Sequence, residues 1–182
     1  VLLQNLDGGF EDHVNPTFGA DATDGITTIY YNFRTTYAFD STGAPLTNAI
    51  SPDQKQRARE VLSLWSNYIG VQFVETADLG LTIANGSNAG LRPFPGTQLQ
   101  RESNFAVRID PTFDNPLVIM SATNNWGNEY GASYSRTIAA AMGMILGLEH
   151  AGDLPETTLM RLDPTFLAGS GPLTDGNDAQ LN

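Results

Sequence analysis

A chain of 182 residues, 41% of them hydrophobic, is long enough to bury one sizeable core and reads as a single domain. Twenty acidic against nine basic side chains leave a net charge of −11, which repels phosphate backbones and anionic surfaces and so argues against nucleic acid. No run of about eighteen apolar residues is present, so membrane insertion is not expected, and the absence of cysteine removes disulfides and thiolate metal sites.

The first 25 residues are rich in Gly, Asp, Asn and Pro, with Asp7-Gly-Gly9 and Asp21-Ala-Thr-Asp-Gly25 as turn signals, and are expected to form an N-terminal loop or arm. His13 lies in it and reads as an exposed loop histidine rather than a ligand. Residues 1 to 20 lack the basic start and apolar middle of a signal peptide, which is compatible with a leader already removed.

Ile26 to Phe33 is dense in Ile, Thr, Tyr and Phe and predicts the first strand. Residues 34 to 50 read as a polar-aromatic stretch with a turn at Thr42-Gly-Ala-Pro45. Ser51-Pro-Asp-Gln54 carries three helix-start signals: serine as N-cap, proline at the first helical position, and glutamine where a capping box needs it. Ala58, Val61, Leu62, Trp65, Tyr68 and Ile69 then recur at three- and four-residue steps, and Gly70 stops the helix. Val71 to Glu75, Leu79 to Ala84, Phe105 to Ile109 and Leu117 to Ser121 read as four further strands.

Asn85 to Ser103 and Ala122 to Arg136 are expected to be long loops. Trp126, Tyr130 and Tyr134 in the second loop either line a groove or cover the start of the next helix. The covering reading is preferred, because buried aromatic rings dominate core energetics.

Thr137-Ile-Ala-Ala-Ala-Met-Gly-Met-Ile-Leu-Gly-Leu-Glu-His150 is apolar on every side from Ile138 to Leu148, which predicts a buried core helix with a glycine stop. Ala-Gly-Asp-Leu-Pro-Glu-Thr-Thr-Leu-Met160 follows as a tight turn. This layout resembles the zinc-binding helix and Met-turn of the metzincin metallopeptidases, especially the matrixin and serralysin-like branches, whose motif is H-E-x-x-H-x-x-G-x-x-H. Gly70-Val-Gln-Phe-Val-Glu-Thr-Ala-Asp-Leu-Gly-Leu-Thr-Ile also resembles the family's connection after its long helix.

The resemblance implies an α+β fold: a zincin-like twisted mixed sheet with a long packing helix and a buried core helix followed by a Met-turn. It implies a domain over residues 26–168, between the arm at 1–25 and a polar tail at 169–182. It sets Gly147, His150 and Met160 on retained family positions, Ala140 and Met144 where the first two histidine ligands stand, and Ala141 where the general-base glutamate stands. A catalytic zinc takes three protein ligands plus a water that a nearby base activates. The resemblance therefore implies a catalytically inactive pseudo-peptidase, secreted or on the cell surface, with a binding or scaffolding role and no cofactor, zinc included. The old cleft would hold a protein or peptide by strand addition along Phe105 to Ile109 or Leu117 to Ser121, whichever forms the sheet edge.

Two alternatives stay open. One is a hydrolase with an altered metal site at His150, with Asp153, Glu149 and Glu156 close in sequence. The other is a calcium-binding extracellular domain of a larger protein, using the clusters Asp21/Asp24, Asp110/Asp114/Asn115 or Asp175-Gly-Asn-Asp178. A copper site of Met142, Met144 and Met160 fails on geometry, since helix positions two apart lie about 200° around the axis. Met144 reads instead as filling the space the zinc would take.

Overall fold

A computed structural model describes residues 27–110, 115–127, 129–148 and 159–161. The expected arm at 1–25 and tail at 169–182 lie outside these residues. Among the described residues, eight strands and two helices follow in chain order: β1 (Thr28–Asn32), β2 (Thr36–Phe39), β3 (Pro45–Thr47), α1 (Pro52–Ile69), β4 (Gln72–Glu75), β5 (Leu81–Gly86), β6 (Gln98–Arg101), β7 (Phe105–Ile109), β8 (Leu117–Ser121) and α2 (Ser133–Ile145). A 3-10 turn spans Leu159–Arg161.

The architecture is α+β, with a mixed six-stranded sheet in the order β4-β1-β5-β8-β7-β6. β4, β1, β5 and β8 run parallel, while β7 is antiparallel to β8 and β6 antiparallel to β7. Side chains alternate between the two faces of a strand. Val118 and Met120 of β8 and Phe105, Val107 and Ile109 of β7 accordingly join Trp65 of α1 and Ile138 and Met142 of α2 in the main core. Ala106, Leu117 and Ile119 point the other way and pack with Tyr37 and Leu91 in a second, smaller core. With both faces covered, the central strands read as continuous apolar runs, and β7 and β8 fall on their expected residues.

The start of α1 is also where expected. Gln54 N–H donates to Ser51 Oγ at 3.2 Å, and Ser51 N–H donates back to Gln54 Oε1 at 2.9 Å. Gly70 ends the helix at φ 69°, a left-handed conformation that glycine adopts without a Cβ penalty. Ala58, Val61, Leu62 and Trp65 are buried, but Tyr68, expected on the same face, is 37% exposed in the last turn.

Two stretches not assigned to strands, the polar-aromatic residues 34–50 and the expected loop Asn85 to Ser103, contain them. β2 and β3 form an antiparallel hairpin within residues 34–50. Its tip is closed by Asp40 Oδ1, which accepts from Thr42 N–H at 2.8 Å, Thr42 Oγ1 at 2.7 Å and Ala44 N–H at 3.0 Å. Tyr37 anchors the hairpin on the sheet by donating to Ser87 O at 2.9 Å, over Gly86, where an added Cβ would stand 2.5 Å from the phenol oxygen. β6 lies within the second stretch. It holds β7 on its outer side, so β7 and β8 are both internal strands and the edges are β4 and β6. Strand addition along Phe105–Ile109 or Leu117–Ser121 is therefore ruled out, because their backbone groups already pair with this chain's own strands.

Candidate functional site

α2 begins four residues before Thr137, and Tyr134 to Ile145 are all buried. The opening Ser133-Tyr-Ser-Arg136 is polar in sequence, so its burial is set by packing rather than by local pattern. Trp126 and Tyr134 meet edge to face with ring centroids 5.8 Å apart, and Trp126 Nε1 donates to Ser121 O at 2.8 Å. These rings cover the helix start, as the preferred reading had it. Tyr130 is half-buried.

At the far end the helix closes in a Schellman motif: Leu148 N–H donates to Gly143 O at 2.9 Å and Gly147 N–H to Met144 O at 3.1 Å, with Gly147 at φ 89°. The glycine thus reverses the chain where the sequence calls for a stop. Met160 packs back on the same turn. A methyl group added at Gly143 would overlap Met160 Sδ and stand 3.2 Å from Met160 Cε and 3.4 Å from Leu148 Cδ1. α1 is tied to the helix from another side by Trp65 Nε1, which donates to Ala139 O at 3.2 Å within the core.

Ala140 and Ala141 are completely buried, and Met144 is 5% exposed. Positions 140 and 144 are one turn apart and share a face of α2. Between them these three side chains carry two methyl groups and a thioether. None is an acid, a base or a hard metal ligand. His150 and Asp153 lie outside the described residues, as do His13, Glu149, Glu156, Asp21, Asp24, Asp114, Asp175 and Asp178. Among the described residues no group of three His, Asp or Glu side chains gathers to hold a metal.

Other polar groups on α2 are buried without partners: the hydroxyls of Tyr134, Ser135 and Thr137 make no hydrogen bond. Burial pushes the Tyr134 phenol above its ordinary range, so it stays neutral. No base faces it among the described residues, and an unactivated hydroxyl is a weak nucleophile.

Sequence reasoning missed two polar arrangements. On the helix side of the sheet, Arg59 grips Glu75 through Nε and Nη2 at 2.7 and 3.0 Å, and Tyr31 donates to Glu75 Oε2 at 3.1 Å. The Arg59 hydrogen bonds hold the Glu75 carboxyl below its ordinary range, and burial followed by the Glu75 charge pushes the Tyr31 phenol up to about 12. Arg59 and Lys55 also sit over the Phe33 ring, at 5.4 and 5.6 Å from its centroid. This cluster joins α1 to β1 and β4; Arg59 pairs with Glu75, and Lys55 adds a second positive charge beside them.

On the opposite face, Arg108 is 2% exposed, donates from Nε to Asn115 O at 2.9 Å, and lies 4.4 Å from the centroid of Phe94. Burial, and then the charge of Arg34, lower its guanidinium to about 10. Asp110 accepts from Asn115 N–H at 2.9 Å, so within one proposed calcium cluster a carboxylate oxygen already caps a turn. A signal for Arg108 was present: an arginine inside the apolar run Phe-Ala-Val-Arg-Ile needs buried partners.

No family model matches the sequence, and comparison with curated proteins returns no match.

Proposed function

We propose that the chain is a metzincin-type, zincin-like domain that has lost zinc chemistry and acts as a secreted or cell-surface module binding protein or peptide. The observation that carries this reading is the join between α2 and Met160. A helix buried from Tyr134 to Ile145 is closed by Gly147 in a left-handed conformation, and a methionine from a separate turn packs on Gly143 of its last turn. This contact supports reading Leu159–Met160 as the counterpart of the family's Met-turn. On that alignment, the positions that would ligate zinc and activate water hold Ala140, Ala141 and Met144. Met144 fills with an apolar, adaptable side chain the volume an imidazole would take. Hydrolysis at neutral pH needs a positioned base or a metal-bound water, and no side chain at these positions supplies one.

The test is reversion. The triple variant Ala140→His, Ala141→Glu, Met144→His is expected to bind zinc with His150 as third ligand, and its melting temperature is expected to rise as zinc is added. Without metal it is expected to be less stable than the parent, because polar groups then enter a buried site unpaired. A variant that binds zinc no more tightly than the parent, or that folds neither with zinc nor without it, contradicts the alignment.

A further inference from the structure

We propose that Arg34 and Arg108 form a binding site for a small oxyanion of the phosphate or sulfate class, on the face of the sheet opposite the helices. The site lies away from α2 and holds whether or not the chain descends from metal peptidases. The register pairs Asn32 with Thr82, Thr82 with Leu117 and Leu117 with Arg108, which makes one row of residues across β1, β5, β8 and β7. Leu117 packs in the smaller core, so the row faces away from the helices. Arg34 follows just past the β1 end of this row. Its N–H donates to Asn32 Oδ1 at 3.2 Å, and its carbonyl accepts from Asn48 Nδ2 at 3.2 Å.

Both guanidiniums are placed by the fold, and their charges are not met by it. Arg108, almost fully buried, uses Nε on Asn115 O and rests against the Phe94 ring. Arg34 Nε is buried and makes no hydrogen bond. Arg57 Nε is orphaned in the same way, but Glu60 meets that guanidinium at 3.0 Å. Among the described residues neither Arg34 nor Arg108 forms an ion pair with a carboxylate. Asp110 acts on Arg108 less strongly than Arg34 does, and its Oδ2 is engaged by Asn115 N–H. Two like charges therefore act on one another at a partly dry site. An unpaired charge out of water is costly, and an ion that brings acceptor oxygens to both groups removes that cost.

The donors left open select the ligand. Arginine presents Nε and Nη as a planar fork that matches two oxygens of a phosphate or sulfate. Arg34 has its Nε open and can grip side-on, whereas Arg108 has its Nε engaged and can reach the same ion only through its Nη atoms. A tetrahedral dianion has oxygens for both and a charge that answers both, which a carboxylate lacks. Arg34 is half-buried, and the neighbouring segment from Arg92 to Gly96 is exposed, so solvent reaches the pair from that side. The net charge of −11 is screened beyond about 8 Å at physiological ionic strength, and the local pair decides.

The experiment titrates the whole chain with inorganic phosphate, sulfate, phosphoserine and acetate by calorimetry in chloride buffer of fixed ionic strength, with melting temperature as a second readout. Phosphate and sulfate are expected to bind and to raise the melting temperature, with acetate weaker by about tenfold or more. Tighter binding of phosphoserine than of phosphate assigns the site to an esterified group, and the reverse order to the free ion. Arg34→Gln should weaken phosphate about tenfold or more without lowering the melting temperature in chloride alone, because it removes a like charge beside Arg108. Arg34→Lys keeps the charge but not the fork and should also bind more weakly. Arg57→Gln, which removes an arginine on α1, should bind like the parent. The proposal is overturned if phosphate and sulfate bind no better than acetate, if both Arg34 variants bind like the parent, or if Arg57→Gln loses as much affinity as Arg34→Gln. It is overturned too if Arg34→Gln lowers the melting temperature equally with and without phosphate, the mark of a purely structural arginine. None of these readings involves zinc, so this proposal and the zinc reversion fail separately.

Discussion

Gly143→Ala tests the contact between α2 and Met160. In an isolated helix the change would stabilise by about 1 kcal/mol, since alanine loses less backbone entropy than glycine. In this helix the new methyl overlaps Met160 Sδ and crowds Leu148 Cδ1 at 3.4 Å. Met160 is 8% exposed and cannot swing freely into solvent, and overpacking a buried site costs roughly 1–3 kcal/mol. The far end of a methionine side chain is flexible, which puts the cost in the lower half of that range. The net expectation is a loss of between zero and about 1 kcal/mol in urea unfolding, with the slope unchanged. Met160→Ala alone should cost about 2–5 kcal/mol through lost burial and the cavity left. The double variant should cost less than the two losses added, because the shortened side chain makes room for the methyl; the coupling is expected at about 1 kcal/mol or more. A Gly143→Ala protein that is about 1 kcal/mol more stable than the parent, with additive behaviour in the double variant, would refute the contact.

Three further outcomes follow from the packing and the polar clusters. Trp65→Phe removes the donor to Ala139 O and part of a buried ring, and is expected to cost roughly 2 kcal/mol in chemical denaturation. Glu75 has its folded-state pKa lowered, so its stabilising contribution is present above the ordinary carboxylate range and lost as pH falls through the folded value. The stability difference between parent and Glu75→Gln, under about 1 kcal/mol for a pair this exposed, should therefore be present near neutral pH, begin to fade as pH falls into the ordinary carboxylate range and be gone below the lowered folded value. For Tyr31 the sign is opposite: its folded value is raised to about 12, so its contribution is complete below pH 10 and fades as pH rises through about 12, as absorbance titration of parent against Tyr31→Phe should record.

The parts of the fold legible in the sequence are those where local and tertiary preferences agree. The capping box at Ser51, the left-handed stop at Gly70 and the apolar runs of β7 and β8 each have a physical cause within a few residues. β6 has none, since Gln-Leu-Gln-Arg is a strand only because β7 is beside it. The β2–β3 hairpin was masked by its turn residues, although Tyr37 and Phe39 gave the strand signal expected of aromatic side chains. The first turn of α2 looks like a loop because Ser, Tyr and Arg are polar, and only the surrounding core buries it. In the candidate site, the glycine stop was readable from the sequence, whereas Met160 was singled out only by the family resemblance and its contact with Gly143 was not foreseen. The Tyr31–Glu75–Arg59 cluster was not, since its members stand 44 and 16 residues apart in the chain.

The central claim, a zincin-like domain without zinc chemistry, is tested most directly by elemental analysis of the purified protein after equilibration with zinc, paired with an assay of cleavage of unfolded protein. The account predicts no stoichiometric zinc and no chelator-sensitive cleavage, because Ala140, Ala141 and Met144 can neither ligate the ion nor activate its water. One zinc per chain, with proteolysis that a chelator abolishes, would contradict it.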